Sequence, residues 1–269
     1  MKAKERLDII LTERAMFPSR EKAKASIMAG LIYVDGQRVD KPGTPVDREA
    51  EITIKEALCP YVSRGGLKLE KALELYGFSL QDNIAVDIGA STGGFTDCML
   101  KNGARKVFAI DVGYGQLDWK LRNDPRVVNM EKVNVRYLDP ETIDTPVDFI
   151  SIDVSFISLK LVFPVAAGLL DEEGSLVCLV KPQFEAGREQ VGKKGIVRDP
   201  KVHCQVIENV IEYGRENGLY SHGLTWSPVT GAKGNIEYLL YMKKQSPQKE
   251  ISEEAIQKLV AESHAELEA

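Results

Sequence analysis

From Gly66 onward the sequence alternates short apolar, often β-branched runs with amphipathic helical stretches, and this alternation restricts the fold more than any other feature. A helix with Leu67, Leu69, Ala72, Leu73, Leu75 and Tyr76 runs from Gly66 to Gly77. Apolar runs follow at Ile84–Ile88, Lys106–Ile110, Phe149–Ile152, Leu176–Val180, Gly223–Trp226 and Ile236–Met242, with helical stretches at Phe95–Asn102, Ser158–Leu170 and Val202–Asn217. Near-continuous apolar strands that alternate with helices are buried on both faces, so the expected class is α/β with a mostly parallel sheet. Only the short segment Ser227–Asn235 joins the last two runs, too little for a crossover helix, so the final strand should be antiparallel.

The first sixty residues follow a different pattern. Two short amphipathic helices are expected at Arg6–Ala15 and at Ser19–Ala29, the second with Ser19 as N-cap and Gly30 past its end. A strand at Leu31–Val34 should turn at Asp35-Gly36, return over Gln37–Val39 and be joined, after the loop Lys41-Pro-Gly-Thr-Pro45, by a strand at Glu51–Ile54. A length of 269 residues also exceeds the usual size of one domain. The expected division is a small α+β domain at 1–58, a linker at 59–65, a larger α/β domain at 66–243 and an acidic tail at 244–269.

Residues 2–41 carry nine basic and six acidic side chains in a chain of formal charge −5. A mildly basic head fits a nucleic-acid partner and equally fits a solvated helix face. Hydrophobic residues at 43% and charged residues at 28% exclude disorder and coiled coil. Cys59, Cys98, Cys178 and Cys204 are scattered and no G-x-S-x-G turn occurs, so neither a metal site nor a serine hydrolase is expected. The longest uncharged apolar run, Leu161–Leu170, contains Pro164 and is about half the length a bilayer requires. The expectation is a cytoplasmic protein with no membrane partner.

The chemistry should lie at the strand ends. Asp87-Ile-Gly-Ala-Ser-Thr-Gly-Gly-Phe-Thr96 follows the first strand and opens a helix, so Gly89, Ala90, Ser91, Thr92, Gly93 and Gly94 form a loop that lets a ligand approach backbone. Asp111 ends the next strand, where an acid hydrogen-bonds ribose hydroxyls. A dinucleotide and S-adenosylmethionine both satisfy this pair. Asp153 and Lys181 close two further strands and Glu237 opens the antiparallel one, so topology brings three ionisable groups to one edge. A structural salt bridge would explain them as well.

Several motifs resemble known families. Arg6-Leu7-Asp8, Ser19-Arg20-Glu21-Lys22-Ala23, Gly30, Val34-Asp35-Gly36 and Val39 resemble the alpha-L RNA-binding module. That resemblance implies phosphate contacts from Arg6, Ser19, Arg20, Lys22 and Lys24 and salt-dependent binding. The spelling of the glycine loop resembles motif I of methyltransferases related to the heat-shock rRNA methyltransferase. It implies a Rossmann-like methyltransferase domain with S-adenosylmethionine as cofactor, and with Asn134 and Val135 beside the adenine.

Tyr61-Val-Ser-Arg-Gly-Gly-Leu-Lys68-Leu, Ser151-Ile-Asp153-Val-Ser-Phe, Leu179-Val-Lys181-Pro-Gln-Phe-Glu, Gly192–Arg198 and Gly234-Asn-Ile-Glu237-Tyr together resemble the TlyA family of rRNA methyltransferases, long labelled haemolysins. The resemblance spans residues 2–243. It implies that Lys68, Asp153, Lys181 and Glu237 form a Lys-Asp-Lys-Glu tetrad for ribose 2′-O-methylation of cytidine in rRNA, within the ribosome or its subunits. A lysine can deprotonate a hydroxyl only if its pKa, about 10.4 when free, is lowered. Lys181 is therefore the expected base, with Lys68 as the lowering cation and with Asp153 and Glu237 holding it; no metal is required. Two other readings remain open: a membrane-active haemolysin, and an RNA-binding protein whose Rossmann domain is silent or binds NAD.

Overall fold

A computed structural model describes residues 4–17, 19–28, 30–54 and 59–267. The chain divides into two compact units, Met1–Pro60 and Tyr61–Ala269. The expected domain end at Leu58 and helix end at Ala29 lie outside the described residues.

The first unit contains β1 (Lys4–Arg6), α1 (Leu7–Glu13), α2 (Arg20–Met28), β2 (Ile32–Val34), β3 (Gln37–Val39), β4 (Pro45–Asp47) and β5 (Ile52–Ile54). An antiparallel sheet runs in the order β3-β2-β5, and β1 pairs with β4 in a separate ribbon. Leu7, Ile10, Leu11, Ala23, Ile27 and Ile32 form its core. Asp35 and Gly36 both take positive φ (49° and 78°), the conformation that a two-residue hairpin turn of the right twist demands. Sequence alone missed β1 and β4: Lys-Glu-Arg has no apolar alternation, and only pairing with the distant Pro45–Asp47 makes it a strand. α1 is shorter than expected because Ala15 at φ 55° closes it, with the Met16 amide donating to the Leu11 carbonyl at 3.0 Å.

The second unit begins at Tyr61, so the expected linker is largely structured. The Tyr61 hydroxyl donates to Glu70 at 2.6 Å and the Val62 amide to Asp97 at 2.8 Å. Its elements are α3 (Gly65–Tyr76), β6 (Ile84–Ile88), α4 (Gly94–Lys101), β7 (Lys106–Asp111), α5 (Trp119–Arg122), β8 (Val127–Glu131), β9 (Val147–Ile152), α6 (Phe163–Leu169), β10 (Leu170–Val180), α7 (Pro182–Glu185), α8 (Pro200–Arg215), β11 (Tyr220–Trp226), β12 (Tyr238–Lys243) and α9 (Glu253–Leu267).

The sheet runs β11-β12-β10-β9-β6-β7-β8, with β12 antiparallel to both neighbours and the remaining paired strands parallel. The α/β class and the antiparallel last strand are thus as the sequence predicts. Every residue of β6 is buried, the result of helices covering both faces. β8 escaped the sequence reading because it is the edge strand, only half-buried and with Asn129 and Glu131 among its apolar residues.

The helix expected over Ser158–Leu170 is two pieces: a 3-10 turn at Leu159–Leu161, capped by Ser158, and α6. Pro164 lacks an amide hydrogen and fits only the first turn of a helix, so α6 must start beside it. Within residues 246–269, readable as a loosely docked helix or a fraying tail, α9 packs on α8 and β11 with Ile256 and Val260 buried.

Candidate active site

The order of strands reverses between β6 and β9, and in such sheets ligands bind outside the carboxyl ends at that point. Here a cavity of about 510 Å³ opens, lined by Ser63, Arg64, Lys68, Gly89, Asp153, Lys181 and Glu237 among others. A second, of about 320 Å³, is lined by Asp111, Asn134 and Val135. The two share Gly89, Ser91, Asp153, Ser155 and Phe156 and form one cleft.

Four charged side chains interlock in the first cavity. Asp153 follows the last residue of β9, Lys181 follows β10, and Glu237 precedes β12. Val180 pairs with Tyr238 across the antiparallel ladder, which brings Lys181 and Glu237 to the same end. Lys68 reaches the same place from α3, which packs against β12. Lys181 Nζ lies 2.5 Å from Asp153 Oδ1 and donates to Ser155 Oγ at 3.1 Å. Lys68 Nζ lies 2.7 Å from Glu237 and 3.7 Å from the other oxygen of Asp153.

The side chains of Lys181, Lys68 and Glu237 are 9%, 11% and 3% exposed. Charges so buried persist only when paired, because an uncompensated one costs about 3–5 kcal/mol. The expectation that Glu237 holds Lys181 is corrected: Glu237 binds Lys68 and accepts from Gln183 Nε2 at 3.2 Å. α3 delivers its ammonium to Glu237, while Lys181 turns to Asp153.

The glycine loop is shaped by close approach. Gly89 has φ 86°, and a Cβ there would stand 2.4 Å from the Asp153 carbonyl oxygen. A Cβ on Gly94 would meet the Gly66 amide nitrogen at 2.9 Å. The first turn of α4 leaves the Gly94 and Phe95 amides without intrahelical partners, and both residues line the cavity. Gly89 and Ala90 donate instead to the Ile110 carbonyl. Gly93 departs from expectation: it does not face the cleft, and a Cβ there would strike the Leu121 side chain at 2.2 Å.

Asp87 is fully buried and accepts from the Thr96 amide and hydroxyl at 2.9 and 2.6 Å and from the Ser151 hydroxyl at 3.0 Å. It ties the start of α4 to the sheet. Burial pushes its carboxyl up to about 6, against the opposing pull of the Thr96 and Ser151 hydrogen bonds. A folded value above the unfolded one means that folding takes up a proton between about pH 4 and 6. Stability from Asp87 is full at the acid end and is lost as pH rises through about 6, a span of about 3 kcal/mol. Thermal melts should therefore show wild type gaining on Asp87→Asn as pH falls from about 7 to 5; parallel profiles would refute the assignment.

A model of the FtsJ-like methyltransferase family matches residues 61–244. The chain belongs to that family. Residues 5–52 match the S4 domain, so the methyltransferase carries an S4 unit at its N-terminus. It is 52% identical to YqxC of Bacillus subtilis over 98% of this chain and 95% of that one. To the 16S/23S rRNA (cytidine-2′-O)-methyltransferase TlyA of Mycobacterium tuberculosis it is 43% identical over 91% of this chain and 92% of the other. A solved Streptococcus thermophilus chain labelled a hemolysin superposes with a TM-score of 0.79 at 48% identity, over 100% of this chain and 98% of that one. Among the described residues no helix is long and apolar enough to cross a membrane.

The remaining expected residues sit as follows in the methyltransferase. Asp111 accepts from the Ser91 and Gly113 amides at 2.8 and 2.7 Å, so its carboxylate braces the glycine loop while lining the second cavity. Asn134 caps the 3-10 turn of Val135–Tyr137, and Val135 is buried. In the S4 unit Arg6 and Arg20 are half-exposed, and both donate to the buried Asp8. Burial raises the Asp8 carboxyl, but the two guanidiniums together outweigh that and hold it below its ordinary value. Ser19 accepts from the Lys22 amide, and Lys22 is exposed.

Sequence reasoning about sites missed Ser63, Arg64, Ser155, Phe156, Gln183 and Phe184, all on the cleft wall. Their signal was proximity in sequence to Lys68, Asp153 and Lys181. Phe156 stands out: it is 91% exposed, has φ 64° and meets Phe184 at 4.9 Å between ring centroids.

Proposed function

We propose that this methyltransferase moves a methyl group from S-adenosylmethionine to the ribose 2′-hydroxyl of a cytidine in ribosomal RNA. The observation that carries the reading is the Lys68–Glu237 and Lys181–Asp153 pairing in the first cavity, where Asp153 also borders the second. A glycine cradle with free helix amides on one side and a carboxylate at the end of β7 on the other fits an amino-acid head and a nucleoside. S-adenosylmethionine, when bound, supplies an electrophilic methyl group on sulfur.

The chain's residues have three tasks. Gly89, Gly94 and Phe95 bring backbone to the amino-acid end, and Asp111, Asn134 and Val135 frame the nucleoside end. Phe156 and Phe184 give a nucleobase an aromatic edge to stack on. Lys181 is the base that takes the hydroxyl proton, with Lys68 as a second ammonium on the same Asp153. Ser155 and Asp153 hold Lys181 in place. Cytidine as the target, and the ribosome or its subunits as the partner, are supported by the likeness to TlyA.

The test is transfer of tritiated methyl from S-adenosylmethionine to separated ribosomal subunits, followed by alkaline hydrolysis and mapping. Label in an alkali-resistant dinucleotide beginning with cytidine is expected. Label confined to protein or to bases would overturn the reading.

A further inference from the structure

The segment Gly192–Arg198 takes no part in the chemistry above, yet it carries a group of unpaired cations. Lys193, Lys194 and Arg198 are exposed between α7 and α8, and Lys233 is exposed between β11 and β12. Among the described residues, none of these four side chains makes a hydrogen bond or an ion pair. They line two adjoining concavities of about 440 and 450 Å³ that share Lys194, Ile196 and Arg198. The one carboxylate in either lining, Asp199, is spent on the start of α8, accepting from the Lys201 amide at 2.9 Å. By contrast, the arginines of the S4 unit singled out from sequence, Arg6 and Arg20, already share a buried counter-charge.

The backbone that carries Lys193, Lys194 and Arg198 is pinned by hydrogen bonds. Gly192 donates to the Ile196 carbonyl at 3.0 Å and Gly195 to the Gly192 carbonyl at 2.7 Å. Buried Asn235 grips this loop from the other side: its amide donates to the Gly195 carbonyl at 2.9 Å, and its oxygen accepts from the Val197 amide at 3.3 Å. The Asn235 carbonyl accepts from the Gly231 amide at 2.8 Å, and Gly231 lines the cleft beside Glu237. One hydrogen-bonded unit thus links the cationic platform to the catalytic wall.

A site for a single phosphate would converge its donors on one point. Here the charges spread over two concavities with no aromatic side chain in the lining, which suits a chain of phosphodiesters read without their bases. We propose that this face clamps consecutive phosphates of the RNA strand that leads into the catalytic cleft. The proposal rests on the reading of the protein as an RNA methyltransferase.

The test compares wild type with the combined variant K193A/K194A/R198A/K233A and with the charge-retaining K193R/K194R/K233R. Retention of purified ribosomal RNA on filters is measured from about 50 to 300 mM KCl, and methyl transfer is titrated against ribosomal subunits. Each phosphate contact contributes about 0.7–0.9 to the slope of log K against log salt, so the alanine variant should bind with a slope shallower by about 3. Its KM for subunits should rise at least about tenfold, with kcat at saturation and S-adenosylmethionine affinity within about twofold of wild type. The arginine variant should match wild type. An unchanged slope overturns the clamp, as does a KM rise that the charge-retaining variant shares. A wild type that binds RNA but moves no methyl group onto it overturns the functional reading, and the slopes still decide the surface.

Discussion

Lys181→Ala should lose methyl transfer by about a hundred- to ten-thousandfold, the usual worth of a positioned general base. Calorimetric titration with S-adenosylmethionine should find its affinity nearly intact, since Lys181 follows β10 and is separated by β9 from the glycine loop that follows β6. The variant should also stay folded, because Asp153 keeps Lys68 at 3.7 Å and is not left as an uncompensated buried charge. Lys181→Arg separates the two roles a cation could play. Arginine keeps the charge and the ion pair with Asp153 but does not give up its proton, so a base fails and an electrostatic support survives. We expect the arginine variant to be as inactive as the alanine one and as stable as wild type. Substantial activity in Lys181→Arg would move Lys181 from base to charge stabiliser.

Gly89→Ala should abolish cofactor binding by a different route. At φ 86° any side chain is strained by about 1–2 kcal/mol, and here the added Cβ would also stand 2.4 Å from the carbonyl oxygen and 2.9 Å from the carbonyl carbon of Asp153. Both obstacles are backbone, so neither can rotate away. Either the glycine loop retreats or the end of β9 moves, and the Asp153 amide, bonded to the Ile88 carbonyl at 2.9 Å, resists the second. S-adenosylmethionine affinity should fall by at least about a hundredfold, a loss of roughly 3 kcal/mol, with activity falling alongside. Gly218→Ala is the control. Gly218 has φ 72° with nothing within 4 Å, so it carries the backbone strain without the collision and should keep full affinity. Equal losses in the two variants would show that strain, not the approach of β9, governs the site.

Periodicity made the α/β class legible, because side-chain direction repeats every 2 residues in a strand and about every 3.6 in a helix. The Asp35-Gly36 turn and the antiparallel β12 were equally readable, since each depends on a few neighbouring residues or on the length of one connection. Asp153, Lys181 and Glu237 could be placed together because strand order alone carries strand ends to one edge. Lys68 could not: its partner Glu237 lies 169 residues away, and the contact exists only because α3 packs against β12. In the same way, Gly93 looks like part of the cradle in sequence, but the packing of Leu117 and Leu121 turns it away from the cleft.

Which segments are buried, where the chain turns and which charges end the strands all follow from local geometry and the cost of burying polar groups, and so can be read along the chain. Packing between distant elements sets which ammonium each carboxylate holds. The same packing docks α9, gives Arg6 and Arg20 a shared Asp8, and leaves the cations of the Gly192–Arg198 segment unpaired among the described residues. The physical reason is the same in each case: an ion pair or a packed face is a relation between distant parts of the chain, and no local pattern of residues encodes it.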